Sequence, residues 1–480
     1  MMKPSTKMTN RARIAFALST CATVSGLLAA EATGPLRVHP TNPRYFADAL
    51  GKAVYLTGSH TWNSLIDIGP GDPPPAFDYT AYLDFLRKHH HNFFRLWMEE
   101  EMQWLIEQKG KTRVRNGMTP LPWARTGPGI AQDGKPKFDL SRFDIAFSDR
   151  LRSRVQEAGR RGIYVSVMLF EGWVQQHDKG GNWKDHPFHP DNNINGINGD
   201  ADGDGLGTDV HTLADPAVTR LQEGFVRHVI DTVGDLDNVL YEIANECGTY
   251  STEWQYHFIR FIKEYEATKP KQHPVGMTFQ WSPNAKLRGN NQTLLDSPAD
   301  WISPNQEAGE WNYKTNPPPA DGRKVIVPDT DHLGGIWGNV AWVWKSFTRG
   351  HNPIFMDPYD GSVLGEGGTP AWAAVLSSMG VASQLAQRMD LAAMTPRNDL
   401  SSTQYCLADP GREYVVYLPE GGKATVDLSA AKGRIAVEWF TPQNGEKHSG
   451  VAVAGGGKRS FQAPFNGDAV LHLKVSGTVP

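Results

Sequence analysis

From residue 53 onward, the apolar positions alternate between two spacings. Short runs of apolar, β-branched and aromatic residues at 53–60, 92–98, 164–170, 239–246, 275–281, 301–306, 325–332 and 353–358 predict strands. Between them, apolar residues recur at helical spacing over 79–90, 142–161, 216–233, 253–266, 341–349 and 371–389. Eight strands interleaved with helices over about 350 residues form the α/β pattern of a (β/α)8 TIM barrel with insertions. An open doubly wound sheet would share the alternation, but no glycine-rich phosphate-binding turn follows any predicted strand.

Near residue 393 the texture changes. "EYVVYLPEGG", "KATVDLSAAKG", "RIAVEWFTPQNG" and "GDAVLHLKV" alternate apolar and polar residues between glycine-rich turns, with no helical period. This predicts a catalytic-sized barrel over 33–392 and a small all-β sandwich over 393–480. No low-complexity linker separates the two, so they are expected to pack closely.

Residues 1–32 carry the pattern of a secretory signal peptide. Lys3, Lys7, Arg11 and Arg13 precede a mostly apolar stretch over 14–30, and Ala30-Glu31-Ala32 fits a small-x-small cleavage site. Ser19, Thr20, Thr23 and Ser25 make the stretch too polar and short for a bilayer anchor. The expected location is secreted or periplasmic, with no membrane association after cleavage. About 445 residues would then remain, more than one core usually holds. A net charge of −4 lacks the basic excess that nucleic-acid binding needs. Of three cysteines, Cys21 lies in the signal, and Cys247 and Cys406 are expected as free thiols.

In a barrel, side chains at the C-terminal strand ends converge on one mouth. Here those ends supply His60 and Trp62; Arg95, Trp97 and Glu99; Glu171 and Trp173; Asn245 and Glu246; Gln280 and Trp281; Asn305 and Glu307; Asp329 and Asp331; and Asp357. Indoles stack on sugar rings, and carboxylates and amides bind hydroxyls. His60, Trp62, Arg95, Trp97, Glu171, Trp173, Asn245, Gln280, Asn305 and Asp357 are therefore candidate substrate-binding residues. Glu242, lower on the strand that ends in Glu246, reads as buried structure beneath the site.

The Asn245-Glu246 pair after "YEIA" resembles the fourth strand of clan A glycoside hydrolases, whose Glu is the general acid/base. "HPTNPRYFADALGKAVYLTGSHTWN" and "YVVYLPEGG…VEWFTPQNG…APFNGDAVL" resemble apiosidase-like barrels with a terminal domain of collagen-binding type. The resemblance covers nearly the whole chain after the signal. It implies a retaining glycosidase with a second carboxylate on the seventh strand, acting on an oligo- or polysaccharide of plant or microbial origin. The chain departs from the family there, because "KVIVPDTDH" contains no Glu. Asp329 and Asp331 share a face by the strand period of two. The preferred assignment is Asp329 as nucleophile, kept ionised with help from Arg95, and Asp331 as its support. The reverse order stays open, with Asp357 and Glu307 as further alternatives. Glu246 must be protonated before attack, which calls for burial or a neighbouring negative charge. A non-catalytic carbohydrate- or matrix-binding protein is the rival reading.

Catalysis of this kind needs no cofactor. "DADGDG" at 200–205 does resemble the start of a calcium loop, with Asp200, Asp202 and Asp204 ahead of Gly205. The acid expected at the twelfth position is His211, so Asp209 is the substitute ligand for a structural Ca²⁺. The His89-His90-His91 triplet has no matching ligand cluster for zinc and reads as a solvated helix end.

Overall fold

The computed structural model describes residues 31–106, 114–177, 182–335, 337–356 and 370–476, with Met1 and Tyr359. Most of the predicted signal peptide, and Asp357, lie outside the described residues. Eight parallel strands follow one another: β1 (Gly58–His60), β2 (Phe93–Leu96), β3 (Tyr164–Glu171), β4 (Val239–Asn245), β5 (Val275–Thr278), β6 (Trp301–Ser303), β7 (Val325–Ile326) and β8 (Ile354–Met356). β2 to β7 form one curled parallel sheet in sequential order. β8 pairs in parallel with β1, and a parallel bridge from Asp329 to Ile354 connects it back toward β7. β1 meets β2 without a ladder: the Asn92 N–H donates to Thr57 O at 3.0 Å. Gly58 permits that approach, since a Cβ there would overlap the Phe93 carbonyl.

The helices begin where short polar side chains can satisfy the free amides of the first turn. Asp78 accepts from Ala81 N–H ahead of Tyr79–Lys88, and Asp144 from Phe147 N–H ahead of Ile145–Arg160. Asp215 caps Pro216–Val233, with the proline in the first turn, where its missing N–H costs nothing. Most of the strands are shorter than predicted. β7 spans two residues, because the chain beyond Ile326 leaves the ladder and turns at 330–334. Four antiparallel strands after β2 were not predicted: Gln103–Ile106 and Val114–Thr119 form a three-stranded sheet with Asp67–Gly69, and Trp123–Ile130 pairs with Pro136–Phe143. Trp123–Ile130 carries Gly127-Pro128-Gly129 and several exposed residues, so it has no period-two apolar signal.

The C-terminal part is antiparallel: one sheet is built on Glu413–Leu418, Ala469–Val475 and Arg434–Phe440, and a separate pair joins Lys423–Asp427 to Lys458–Gln462. It has its own core around Tyr414, Val416, Trp439 and Leu471. Its other face is not independent: Leu407, Val415, Tyr417, Phe440 and Val470 join the same hydrophobic cluster as the parallel sheet and its helices. Trp344, on the helix Val340–Thr348, donates its indole N–H to Pro442 O across that junction at 3.2 Å. Cys247 and Cys406 are both buried and unbonded. Among the described residues, no helix is long and apolar enough to cross a membrane.

Candidate active site

The site is organised by one buried arginine. Arg95 sits on β2 opposite Ser166 of β3, and two residues along β3 Met168 lies opposite Glu242 of β4. This register carries the guanidinium across the sheet to Glu242, to which Nε and Nη2 donate at 2.9 and 2.5 Å. Nη1 donates to Asp329 at 2.9 Å and to Asp331 at 3.4 Å, and Nη2 donates to the Asn245 side-chain oxygen at 2.9 Å. The guanidinium also lies 4.6 Å from the Trp97 ring centre. Burial alone would favour the neutral base, but Glu242 and Asp329 outweigh it, and Arg95 is held more firmly protonated than a free arginine. A buried cation of this kind is stable only when its donors are matched to carboxylates.

Asp329 is fully buried, with both oxygens against His60 Nε2 at 3.1 and 2.9 Å. Burial opposes its charge, but His60, then Arg95 and His332, hold it well below the usual carboxylate range. Asp331 is the exposed member of the pair: its side chain is 9% accessible, against 0% for Asp329. Burial and the adjacent Asp329 charge push it up to about 6, restrained by Arg95.

Glu246 follows β4 directly in a left-handed conformation, φ +44°, which non-glycine residues rarely adopt. Gln176 Nε2 donates to its carbonyl at 2.6 Å and holds that turn. Burial, then the charges of Asp331 and Glu171, push its carboxyl well above the usual range. Carboxylate oxygens of Glu246 and Asp331 and a ring nitrogen of His332 lie within 4.8 Å of one another. Burial, then Arg95, press His332 down to about 3, so its ring is neutral at ordinary pH. One ring nitrogen meets Ser303 Oγ at 2.8 Å, the other the Asn245 oxygen at 3.3 Å.

Above these groups opens a cavity of about 420 Å³, lined by Trp62, Trp173, Phe279, Trp281, Arg288, Asn305, Gln306, Glu246, Asp331 and His332, with Gly334, Gly335 and Met356. Its size falls within the range of small-ligand sites. Trp62 stacks on Trp97 at 5.6 Å and meets Trp173 edge-on at 5.3 Å; His60 also stacks on Trp97, at 5.2 Å. The aromatic wall is therefore backed by a second layer.

Comparison with solved structures finds the same arrangement of elements. A glycoside hydrolase family 5 protein from Bacteroides vulgatus superposes with a TM-score of 0.58 at 12% identity, over 92% of this chain and 93% of the other. A second structure, described as a glycoside hydrolase, gives 0.57 at 12% identity over 92% and 97%. At this identity the likeness is one of fold: a curled parallel sheet interleaved with helices, followed by an antiparallel sheet domain. In sequence, residues 90–282 match a domain of unknown function, DUF6298, and residues 393–474 match a domain described as "Putative collagen-binding domain of a collagenase". A comparison with curated proteins gives no match.

Within this fold the predicted residues divide into two groups. Glu246, Asp331, Trp62, Trp173 and Asn305 line the cavity. His60, Arg95, Trp97, Asn245, Glu171 and Asp329 do not; they form the layer beneath and beside it. Asn245, expected to bind substrate, has its amide engaged by protein: the oxygen accepts from Arg95, and Nδ2 donates to Glu171 at 3.1 Å. Glu171, also expected to bind substrate, accepts the N–H groups of Trp173 and Val174 at 2.8 and 2.9 Å and caps the short helix Trp173–His177. Trp97, expected as a sugar platform, is 2% exposed and stacks on His60 and on Trp62. Gln280 turns away entirely, with Nε2 donating to Gly248 O, Ser251 and Thr252. Glu307 accepts from Asn291 N–H at 2.6 Å, outside the cavity lining. His332, Arg288 and Phe279 were not anticipated as site residues, and none carries a sequence signal that sets it apart.

In the 200–209 loop, oxygens of Asp200, Asp202 and Asp209 come within 4.8 Å of one another, and Asp204 is not in that group. Asp209 accepts from Asp202 N–H at 2.8 Å and Asp200 from Gly205 N–H at 3.1 Å.

Proposed function

We propose that this chain is a secreted glycoside hydrolase that cleaves plant or microbial polysaccharide with retention of configuration, using Glu246 as acid/base and Asp331 as nucleophile. The observation that carries this reading is the contrast between two neighbouring carboxyls at the cavity floor. One is pushed well above the usual range; the other stays ionised at neutral pH beside Arg95. Environments that drive two carboxyls apart in this way assign acid and base roles. One oxygen of each lies within 4.8 Å of the other, close enough for the retaining arrangement, in which the two carboxyl groups are about 5–5.5 Å apart.

On this reading, Asp331 attacks the anomeric carbon while Glu246 gives its proton to the departing glycosidic oxygen. Glu246, now a carboxylate, takes a proton from water, and that water releases the sugar from its ester with Asp331. Asp329, the sequence preference for nucleophile, suits support better: both its oxygens face His60, and it does not line the cavity. A purely carbohydrate-binding protein would use the indoles but would have no need of a protonated Glu246. The N-terminal signal pattern supports export, and the collagen-binding match supports an accessory role for the last domain in attachment. A panel of aryl glycosides and polysaccharides, with Glu246→Gln as control, tests the proposal. Absence of turnover on every substrate, with sugar binding retained, would favour the binder.

A further inference from the structure

A second group of carboxylates lies behind the cavity wall and takes no part in the scheme above. Glu99 and Glu101 follow β2, and Glu171 ends β3; their exposures are 0%, 0% and 1%. One oxygen from each lies within 4.8 Å of the others. That span is no more than about twice a calcium–oxygen distance of 2.3–2.6 Å. Glu100, between the first two, is engaged elsewhere: it accepts from Glu171 N–H at 2.9 Å and meets His211 at 3.0 Å.

The partners of the three are very unequal. Glu171 accepts three hydrogen bonds, from Trp173, Val174 and Asn245. By ordinary hydrogen-bond geometry all four carboxylate oxygens of Glu99 and Glu101 are buried without a partner, although the Trp97 indole near Glu99 and the Glu101 backbone N–H favour the charged forms from a longer reach. Two unpaired buried carboxylates are among the most costly arrangements a fold can hold. Protonation removes the charge but leaves each acid with a buried O–H donor to satisfy. A cation held among the three would meet one oxygen of each, and an all-carboxylate set is the donor chemistry of a hard divalent ion.

We propose that Glu99, Glu101 and Glu171 form a binding site for a hard divalent cation, calcium or magnesium. The ion would tie the segment after β2 to the end of β3 and fix Glu171, which in turn holds the Asn245 amide. The site is separate from the Asp200–Asp209 loop, and its occupancy does not depend on the glycosidase reading.

Equilibrium dialysis and thermal melts test it on the full chain, after chelator treatment, with calcium or magnesium added back. Asp202→Asn/Asp209→Asn serves as the background, so that the exposed loop does not contribute. One ion should remain bound in that background, and its return should raise the melting temperature. Adding Glu101→Gln should weaken binding at least tenfold. Should Glu101→Gln fail to fold, Glu99→Gln in the same background provides the affinity measurement. No bound ion in the background, with a melt indifferent to chelator, would overturn the proposal and leave a proton-sharing acid cluster. Unchanged affinity in both glutamine variants would overturn it equally.

Discussion

Replacing Arg95 with methionine removes a cation that donates five hydrogen bonds to side-chain oxygens, Glu242 twice and Asp329, Asp331 and Asn245 once each, and a sixth to the Met168 sulfur. Methionine fills similar space, so the loss is electrostatic. Glu242 keeps only a contact from Ser166 at 3.4 Å. Asp329 retains His60, and Asp331 is left with the repulsion of Asp329. Breaking a buried pair by removing one partner costs about 3–5 kcal/mol. At roughly 1 °C per kcal/mol for a chain of this size, the melting temperature should fall by about 3–5 °C. Arg95→Met/Glu242→Met removes both ends of the tightest pair and should recover much of that loss, since apolar replacement of a buried ion pair is often neutral or better. Kinetics give a second readout. Arg95 favours the ionised form of Asp331, so the acidic limb of kcat/KM, expected near pH 6, should move to higher pH in the variant. The limb belongs to the coupled carboxylates as a group. A single-variant loss below about 1 kcal/mol, typical of exposed pairs, would refute the reasoning. So would a double variant whose loss equals the sum of both singles, or an acidic limb that moves to lower pH.

Glu246→Gln should reduce turnover of natural glycosides by roughly 10²–10⁴-fold, with a smaller effect on substrates whose leaving groups need no acid. Asp331→Ala should be rescued by external azide, giving a glycosyl azide of inverted configuration, whereas Asp329→Ala should lose activity without rescue; rescue of the latter would exchange their roles. Stability should fall as pH rises from about 7 to 8. Glu246, pushed well above the usual range, and Glu171, pushed by burial up to about 7, hold protons that the unfolded chain has released, while the buried His91, His332 and His351, pressed down to about 3, are neutral when folded and mostly neutral when unfolded over that window. Melts in chelator across that range check it, and a rising melting temperature would contradict it. If the 200–209 loop holds calcium, Asp202→Asn should remove a chelator-sensitive part of the melting temperature, read against the wild-type protein.

The alternation of strands and helices was legible because each strand is buried on both faces and each helix has one apolar side. The limits of β7 were not. A period of two put Asp329 and Asp331 on one face, but the ladder ends at Ile326, and the turn that follows sends one carboxylate under Arg95 and the other to the cavity. Glu246 was legible as a strand-end carboxylate; its left-handed backbone was not, since nothing in Asn-Glu-Cys demands it. Gln280 and Trp97 show the opposite error. Polar and aromatic residues at strand ends were read as contacts to substrate, yet a hydrogen-bonded helix start and a stacked second layer use the same residue types. The partnerless pair Glu99 and Glu101 could be found only once burial was known.

The apolar junction between the two halves bears on how the chain can be cut or grafted. Leu407, Val415, Tyr417, Phe440 and Val470 belong to the cluster that also contains Trp344 and Phe347. A truncation after residue 392 would uncover the wholly buried Trp344, take away its Pro442 acceptor and turn an apolar face toward water. The excised sandwich would expose the matching face. This last domain is therefore a fixed part of the body that holds the cavity rather than an exchangeable module, and a chimera that keeps it must also keep the helix Val340–Thr348 beneath it.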